Sequence, residues 1–185
     1  MMARRQIERS DLAIVVVDAS QGITSGDLAI SGTAWELGKA SVIVINKWDL
    51  LDEDKRSDLE EGWQRLDEVL AGPPRLNISA LTGRGVDKIF PEVEQTLERF
   101  NTQRGTSELN RIFEGLLRRH RPPAIEGQPW NLMYVTQVKT APPTFMLFAN
   151  RQLPHRATYR RYLVNGLRRE LGLEGIPIRL VIRKR

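Results

Sequence analysis

The chain has 185 residues, 41% of them hydrophobic, with 28 Lys and Arg against 23 Asp and Glu and a formal net charge of +5. There is no cysteine, which excludes disulfide bridges and thiolate chemistry. No apolar run approaches the roughly 20 residues that span a bilayer, and the opening MMARRQIERSD lacks the apolar core of a signal peptide, so a soluble, cytoplasmic protein of one large or two small domains, with no membrane partner, is expected.

The first stretch, LAIVVVDAS (12–20), is a continuous β-branched run, the pattern of a strand buried on both faces. TSGDLAISGTAWELG (24–38) predicts a helix with Leu28, Ala29, Trp35 and Leu37 as its apolar stripe and Gly38 as its stop. SVIVIN (41–46) is a second buried strand. A polar loop and an amphipathic helix follow, with Leu59, Trp63, Leu66 and Leu70 at helical spacing. RLNISA (75–80) reads as a third strand and VDKIFPEVEQTLERF (86–100) as a third helix. Three strand–helix repeats imply a parallel sheet with helices on its faces, and such sheets bind ligands at the carboxyl ends of their strands. Residues 101–107 read as a linker and helix start, with Thr106 or Ser107 as cap. Beyond it the order is helix, strand, strand, helix, strand: ELNRIFEGLLRRH, NLMYVTQVKT, PTFMLFANR, ATYRRYLVNGLRREL and IPIRLVIRKR. The expected domains are 1–102 and 103–185. Charge divides in the same place: residues 1–103 hold 12 Lys and Arg against 18 Asp and Glu, residues 104–185 hold 16 against 5. An acidic half beside a basic one suggests different partners.

Chemistry concentrates where the second strand ends, in Asn46-Lys47-Trp48-Asp49. Guanine presents two donors on one edge, N1–H and the exocyclic amino group. One carboxylate accepts both, so Asp49 would select guanine over adenine. The aliphatic stem of Lys47 would lie along the purine face, and the Asn46 amide, donor and acceptor at once, would tie the loop to its neighbours. Taken alone, the same four residues also read as a charged surface turn. ISALTGRG (78–85), about 30 residues on and after the next strand, adds Ser79 and Ala80, where a backbone N–H at or near Ala80 points at guanine O6 and small side chains permit close approach.

DASQGIT, VINKWDL and ISALTGRGV resemble the Era-like branch of the translation-factor GTPases. TSELN, YVTQV, PPTFMLFAN and YRRYLVNGLRRELGLEGIPIRLVIRKR are similar to the carboxyl-terminal part of the Der (EngA) family, bacterial GTPases with two tandem GTPase domains followed by a KH-like domain. The resemblance covers nearly the whole chain. It implies a partial α/β P-loop GTPase domain, its parallel sheet lacking the first strands, followed by a small α+β KH-like domain. It implies GTP or GDP with Mg2+ as ligands of a longer parent protein, GTP hydrolysis by that parent, a role in assembly of the large ribosomal subunit, and that subunit or its RNA as partner, beside the preceding GTPase domain. In the family pattern Asn46, Lys47 and Asp49 match the guanine-specificity motif, and Ser79 and Ala80 the base-contacting loop.

The 185 residues depart from that pattern in one respect. They contain no Gly-x4-Gly-Lys-Ser/Thr loop to hold phosphates and no Asp-x-x-Gly switch. The lookalike GTAWELGKA (32–40) has five residues between its glycines and Ala40 in place of a hydroxyl, and a helix end at Gly38 explains it better. RRQIERSD resembles the family's helix just after the switch, so by resemblance three strands, the phosphate loop and both switches would precede the chain. Negligible hydrolysis and weak or absent nucleotide binding by this chain alone are therefore expected. The strand at 12–17 is expected to be an open edge, through which the chain self-associates or which it holds in distorted form.

In the basic half, GLEG (172–175) matches the Gly-x-x-Gly of RNA-clamping KH domains, but it lies between helix and strand and reads as a cap and turn. The arginine-rich positions, with Arg118, Arg119, Arg121, Arg151, Arg156 and Arg160 among them, offer contact to ribosomal RNA, with Arg161, Arg168, Arg169, Arg183, Lys184 and Arg185 as candidates. A solvated face, or docking on the acidic half, is the alternative, and the excess of basic residues in this half favours RNA contact over it. Arg161 and Arg168, seven apart, are expected on one helix face. Tyr134, Phe145, Phe148, Tyr159 and Tyr162 are expected in the core, His120 and His155 lack metal-ligand spacing, Trp48 would shield its loop, and Asp18 is either a site residue or a turn cap. A nucleotide-independent RNA- or ribosome-binding module remains the alternative to the GTPase reading. A metabolic enzyme has no catalytic constellation to support it.

Overall fold

The first strand of the chain runs parallel to the second in a register that brings Asp18 opposite Asn46, so both end at one level of the sheet. The computed structural model describes residues 2–125, 127–153 and 158–185. They fall into two units, Met1–Phe100 with Glu174–Pro177, and Asn101–Leu173 with Ile178–Arg185.

The first unit contains α1 (Met2–Arg9), β1 (Leu12–Asp18), α2 (Ser25–Glu36), β2 (Ala40–Asn46), α3 (Glu53–Leu70), β3 (Arg75–Asn77) and α4 (Ile89–Asn101). The three strands form one parallel sheet in the order β1-β2-β3. The central strand is buried from Ala40 to Ile45, as the apolar run Val42–Ile45 requires, with Ser41 the one polar side chain enclosed in it. On one face Val15, Val17, Ile43 and Ile45 pack against Leu59, Trp63, Leu66 and Leu70 of α3, the four positions given by helical spacing. On the other, Val42, Val44 and Ile78 meet Ile89 and Val93 of α4. β3 is shorter than the predicted run and ends at Asn77, although the Ile78 amide still donates to the Ile45 carbonyl at 2.8 Å.

Helix α2 starts with a capping box in which Thr24 and Asp27 satisfy each other's backbone N–H. It ends at Gly38, whose φ of 74° lets its own N–H reach the carbonyl of Trp35 at 2.9 Å. The stretch resembling a phosphate loop is thus a helix terminus, and the Lys39 ammonium is spent on the carbonyls of Glu8 (3.1 Å) and Ser10 (2.6 Å). The apolar stripe differs from expectation. Ser31 and Ala34 are the buried residues of α2, Ala29 is exposed, and Leu28 and Trp35 are only partly covered. β1 pairs with β2 alone among the described strands, leaving its outer edge open with Ile14 44% and Val16 59% exposed.

The second unit begins with α5 (Thr106–Arg119), whose N-cap is Gly105 instead of Thr106 or Ser107. A short hairpin, β4 (Ala124–Ile125) with β5 (Gln128–Pro129), comes next. Two residues per strand carry no periodic signal, so this pair is not visible in the sequence. Then follow β6 (Leu132–Lys139), β7 (Thr144–Ala149), α6 (Thr158–Leu171) and β8 (Arg179–Lys184). β7 lies between β6, antiparallel, and β8, parallel. One face of this sheet is the core side, where Val135, Phe145, Leu147, Leu180 and Ile182 are buried, as are Phe113 and Leu116 of α5 and Leu163 and Leu167 of α6. The two helices approach closely: a Cβ built on Gly166 would lie 2.3 Å from Leu116 Cδ2. The buried Gln137 side chain anchors the start of the unit, accepting from the Arg104 amide at 2.7 Å and donating to the Thr102 carbonyl at 3.2 Å. Gly172–Gly175 lies between α6 and β8 as a turn and joins no two helices. No described helix is long and apolar enough to cross a membrane.

Candidate functional site

The carboxyl ends of β1, β2 and β3 converge. After Asn46 the backbone enters the left-handed region at Lys47 (φ 61°, ψ 32°) and turns through a single 3-10 turn, Trp48–Leu50. A non-glycine residue adopts that conformation at some cost, and strain of this kind clusters at ligand sites. The loop is tied across to the segment after β3: the Trp48 amide donates to the Ile78 carbonyl at 3.1 Å, and Asn46 Oδ1 accepts from the Ala80 amide at 2.9 Å. Asn46 therefore braces two strand ends, as its amide chemistry suggested. The Ala80 N–H expected to face a base oxygen is here donated to Asn46. Ser79 is buried, and its Oγ accepts from the Thr82 amide at 3.2 Å, holding the loop in a tight bend. Asp49 is exposed, and no described residue forms a hydrogen bond or ion pair with its carboxylate.

Lys47 is held from the β1 side. Its Nζ donates to Asp18 Oδ2 at 2.6 Å. Asp18 Oδ1 accepts from the Ser20 amide (3.0 Å) and hydroxyl (2.7 Å), so the residue both caps the turn after β1 and pairs with the loop lysine. The Lys47 ammonium, and after it the Ser20 hydroxyl, hold the Asp18 carboxyl down at about 2, so it stays ionised at any pH near neutrality. The turn-cap reading of Asp18 is thus realised, and the residue also pairs with Lys47. The alignment of Asp18 with Asn46 at the ends of paired strands is the signal that foretells this contact. Trp48 leans on the core of the first unit, with the Arg56 guanidinium 5.8 Å from its ring centre.

The basic candidates separate. Arg161, Arg169, Arg183, Lys184 and Arg185 are exposed, whereas Arg168 is buried, its Nη1 donating to Asn165 Oδ1 at 3.0 Å. The face expected to carry Arg161 and Arg168 together is therefore covered at its second position. His155 and Arg156 lie outside the described residues. Phe145 and Tyr159 are buried as expected. The Tyr159 hydroxyl donates to the His120 carbonyl and that of Tyr162 to the Leu116 carbonyl. Tyr134 and Phe148 depart from expectation, because they stand on the sheet face opposite the core, partly exposed. No group of His, Cys, Asp or Glu among the described residues is arranged to hold a metal ion.

A parallel sheet whose strand ends join Asn46, Lys47 and Asp49 to a Ser79-Ala80 loop has the architecture of a GTP-binding domain. The model of the elongation factor Tu GTP-binding domain matches residues 2–99, and the chain belongs to that family. Residues 104–183 match the KH-domain-like carboxyl-terminal part of the EngA bacterial GTPases. Within the wider class the chain thus falls in the Der, or EngA, family: part of a GTPase domain followed by a KH-like domain. It is 41% identical over 182 residues to GTPase Der of Parvibaculum lavamentivorans, covering 97% of this chain and 38% of the relative. It is 42% identical over 187 residues to GTPase Der of Desulforudis audaxviator, covering 100% and 43%. The chain thus spans about two fifths of the length of the curated relatives it matches. The crystal structure of translation elongation factor SelB from Methanococcus maripaludis in its apo form aligns with 51% of this chain and 22% of its own, at 25% identity and a TM-score of 0.45.

Proposed function

We propose that the first unit carries the base-reading half of a GTP site and the second unit an RNA-contacting surface, together serving a cytoplasmic GTPase that acts in assembly of the large ribosomal subunit. The observation that carries the guanine reading is the exposed Asp49 carboxylate, which has no partner among the described residues, presented by a left-handed Lys47 and an Asn46 brace at the ligand edge of the sheet. A carboxylate in that position accepts both donors of a guanine edge. Lys47 covers the ring, and Ser79-Ala80 close the pocket from the far side. When bound, Mg2+ would neutralise the triphosphate, and the 185 residues hold no phosphate loop to support it. Most of the affinity in such proteins comes from phosphate and metal contacts, so the chain alone is expected to bind GDP negligibly.

Calorimetric titration of GDP and ATP tests this on two proteins: this chain, and this chain joined to the preceding GTPase segment of a Der relative. Binding of GDP, and not ATP, by the joined protein alone is the expected result. Equally tight binding by both would overturn the claim that the base-reading half is insufficient, and no GDP preference in the joined protein would remove Asp49 from its role. A second reading, a nucleotide-independent ribosome-binding module, is favoured by one observation: the Lys47 ammonium and the Ala80 amide are both engaged internally. The same titration decides between them.

The open β1 edge is the surface through which we expect a second copy to add its own β1. Light scattering should show association rising with concentration, and Val16→Lys should suppress it. A native chain that stays monomeric at all concentrations would refute this.

A further inference from the structure

The second unit leaves one face of its sheet without a helix. Along β7 the residues alternate strictly: Phe145, Leu147 and Ala149 are buried, while Thr144, Met146 and Phe148 face outward. Register then arranges the outward residues in rows across the three strands. Tyr134 stands opposite Phe148, and Phe148 opposite Arg183. The two rings stack with centroids 4.3 Å apart and planes 16° from parallel, and the Arg185 guanidinium lies 5.9 Å from the Tyr134 ring centre. The middle row, Thr136, Met146 and Val181, is neutral and largely apolar, and Val181 is 39% exposed. The far row ends in two cations, Lys139 and Arg179, both exposed. None of the three strands contains Asp or Glu.

We propose that this face binds single-stranded RNA, with unpaired bases stacking on Tyr134 and Phe148 and the adjoining phosphates held by Arg183 and Arg185. Every base has a π-face, so partly exposed rings on a sheet accept single strands with little regard to sequence. Cations at both margins and none of the opposite sign on the strands match a phosphate backbone entering on one side and leaving on the other. An acidic protein surface would be served by the arginines but has no use for two stacked rings. A base-paired duplex keeps its bases stacked on each other and cannot offer them to the rings. The site differs from the loop that KH domains use, since Gly172–Gly175 joins a helix to a strand. The inference rests on the proposed RNA-contacting role of the second unit and deepens it, giving that role a location on the open sheet face and a single-stranded partner.

Fluorescence anisotropy on the full chain tests it, using an unstructured 12-nucleotide RNA and the same sequence as a duplex. The native chain should prefer the single strand. Tyr134→Leu with Phe148→Leu keeps the two positions apolar but removes stacking, and should weaken single-strand binding about 10- to 100-fold while leaving its salt dependence unchanged. Arg183→Gln with Arg185→Gln should instead flatten the slope of log affinity against log salt. Cross-linking the native chain to the same RNA carrying 4-thiouridine gives a readout that needs no variant to fold, and should mark Tyr134 or Phe148. Native affinity in the leucine variant, duplex bound as tightly as single strand, or cross-links confined to the helix bearing Arg161 and Arg169 would each overturn the platform and leave the broader RNA reading standing. No RNA binding by the native chain would overturn both.

Discussion

Asp49→Asn, in this chain joined to the preceding GTPase segment of a Der relative, is expected to turn preference for guanine nucleotides into preference for xanthine nucleotides. The carboxylate accepts from guanine N1–H and from its exocyclic amino group. An amide can accept only one of these, and its own NH2 then faces the amino group of the base, donor against donor. Xanthine carries an oxygen where guanine carries that amino group, so the same NH2 finds an acceptor. A hydrogen bond to a charged group contributes about 1.5–3 kcal/mol, and an unmatched buried donor costs a similar amount. The ratio of GDP to xanthosine diphosphate affinities should therefore swing by at least about 100-fold. The exposure of Asp49 matters here, because the substitution breaks no hydrogen bond or ion pair to its carboxylate among the described residues. Circular dichroism should be unchanged, and the competition assay alone should move. Unaltered base preference would remove Asp49 as the reader of the base.

Much of the first unit was legible because its elements bury complete faces. A strand covered by helices on both sides must be largely apolar, and residues 42–45 are. A helix with one face on the sheet must repeat its large side chains, and Leu59, Trp63, Leu66 and Leu70 do. α2 is less legible, since it packs through Ser31 and Ala34, and small residues give periodicity little to detect. The brace of Asn46 followed from amide chemistry, but the ion pair of Lys47 with Asp18 depends on two strands ending at the same level, which only the register decides.

In the second unit an interval of seven put Arg161 and Arg168 on one face of α6. Nothing in that interval says what covers the face about 10 Å farther along the axis, and there Arg168 is enclosed. Phe145 and Phe148 carried the opposite lesson. They lie three apart on a strand, so they cannot share a face. With Phe145 in the core, that parity turns Phe148 outward, where its ring pairs with Tyr134.

Gly85→Val is expected to destabilise the first unit by about 2–4 kcal/mol, and the comparison with Gly83→Val shows why. Gly83 and Gly85 both have left-handed backbones, with φ of 78° and 75°. At Gly83 a Cβ would meet nothing within 4 Å, so valine there adds only conformational strain, about 1–2 kcal/mol. At Gly85 the Cβ would lie 2.7 Å from the carbonyl oxygen of Asn77. That oxygen cannot retreat freely, because Asn77 is the last residue of β3 and is paired with Ile45 of the buried central strand. The strain must pass into the loop instead, where the Ser79 amide is bonded to the Arg84 carbonyl at 3.0 Å and the Ala80 amide to Asn46 at 2.9 Å. Urea unfolding should therefore show a larger loss for Gly85→Val than for Gly83→Val. Amide exchange should speed up at Ala80 in the first variant and not in the second. Equal losses with equal protection of Ala80 would mean that the loop is not wedged against β3, and the Asn46 brace would then have to hold the base-reading edge together by itself.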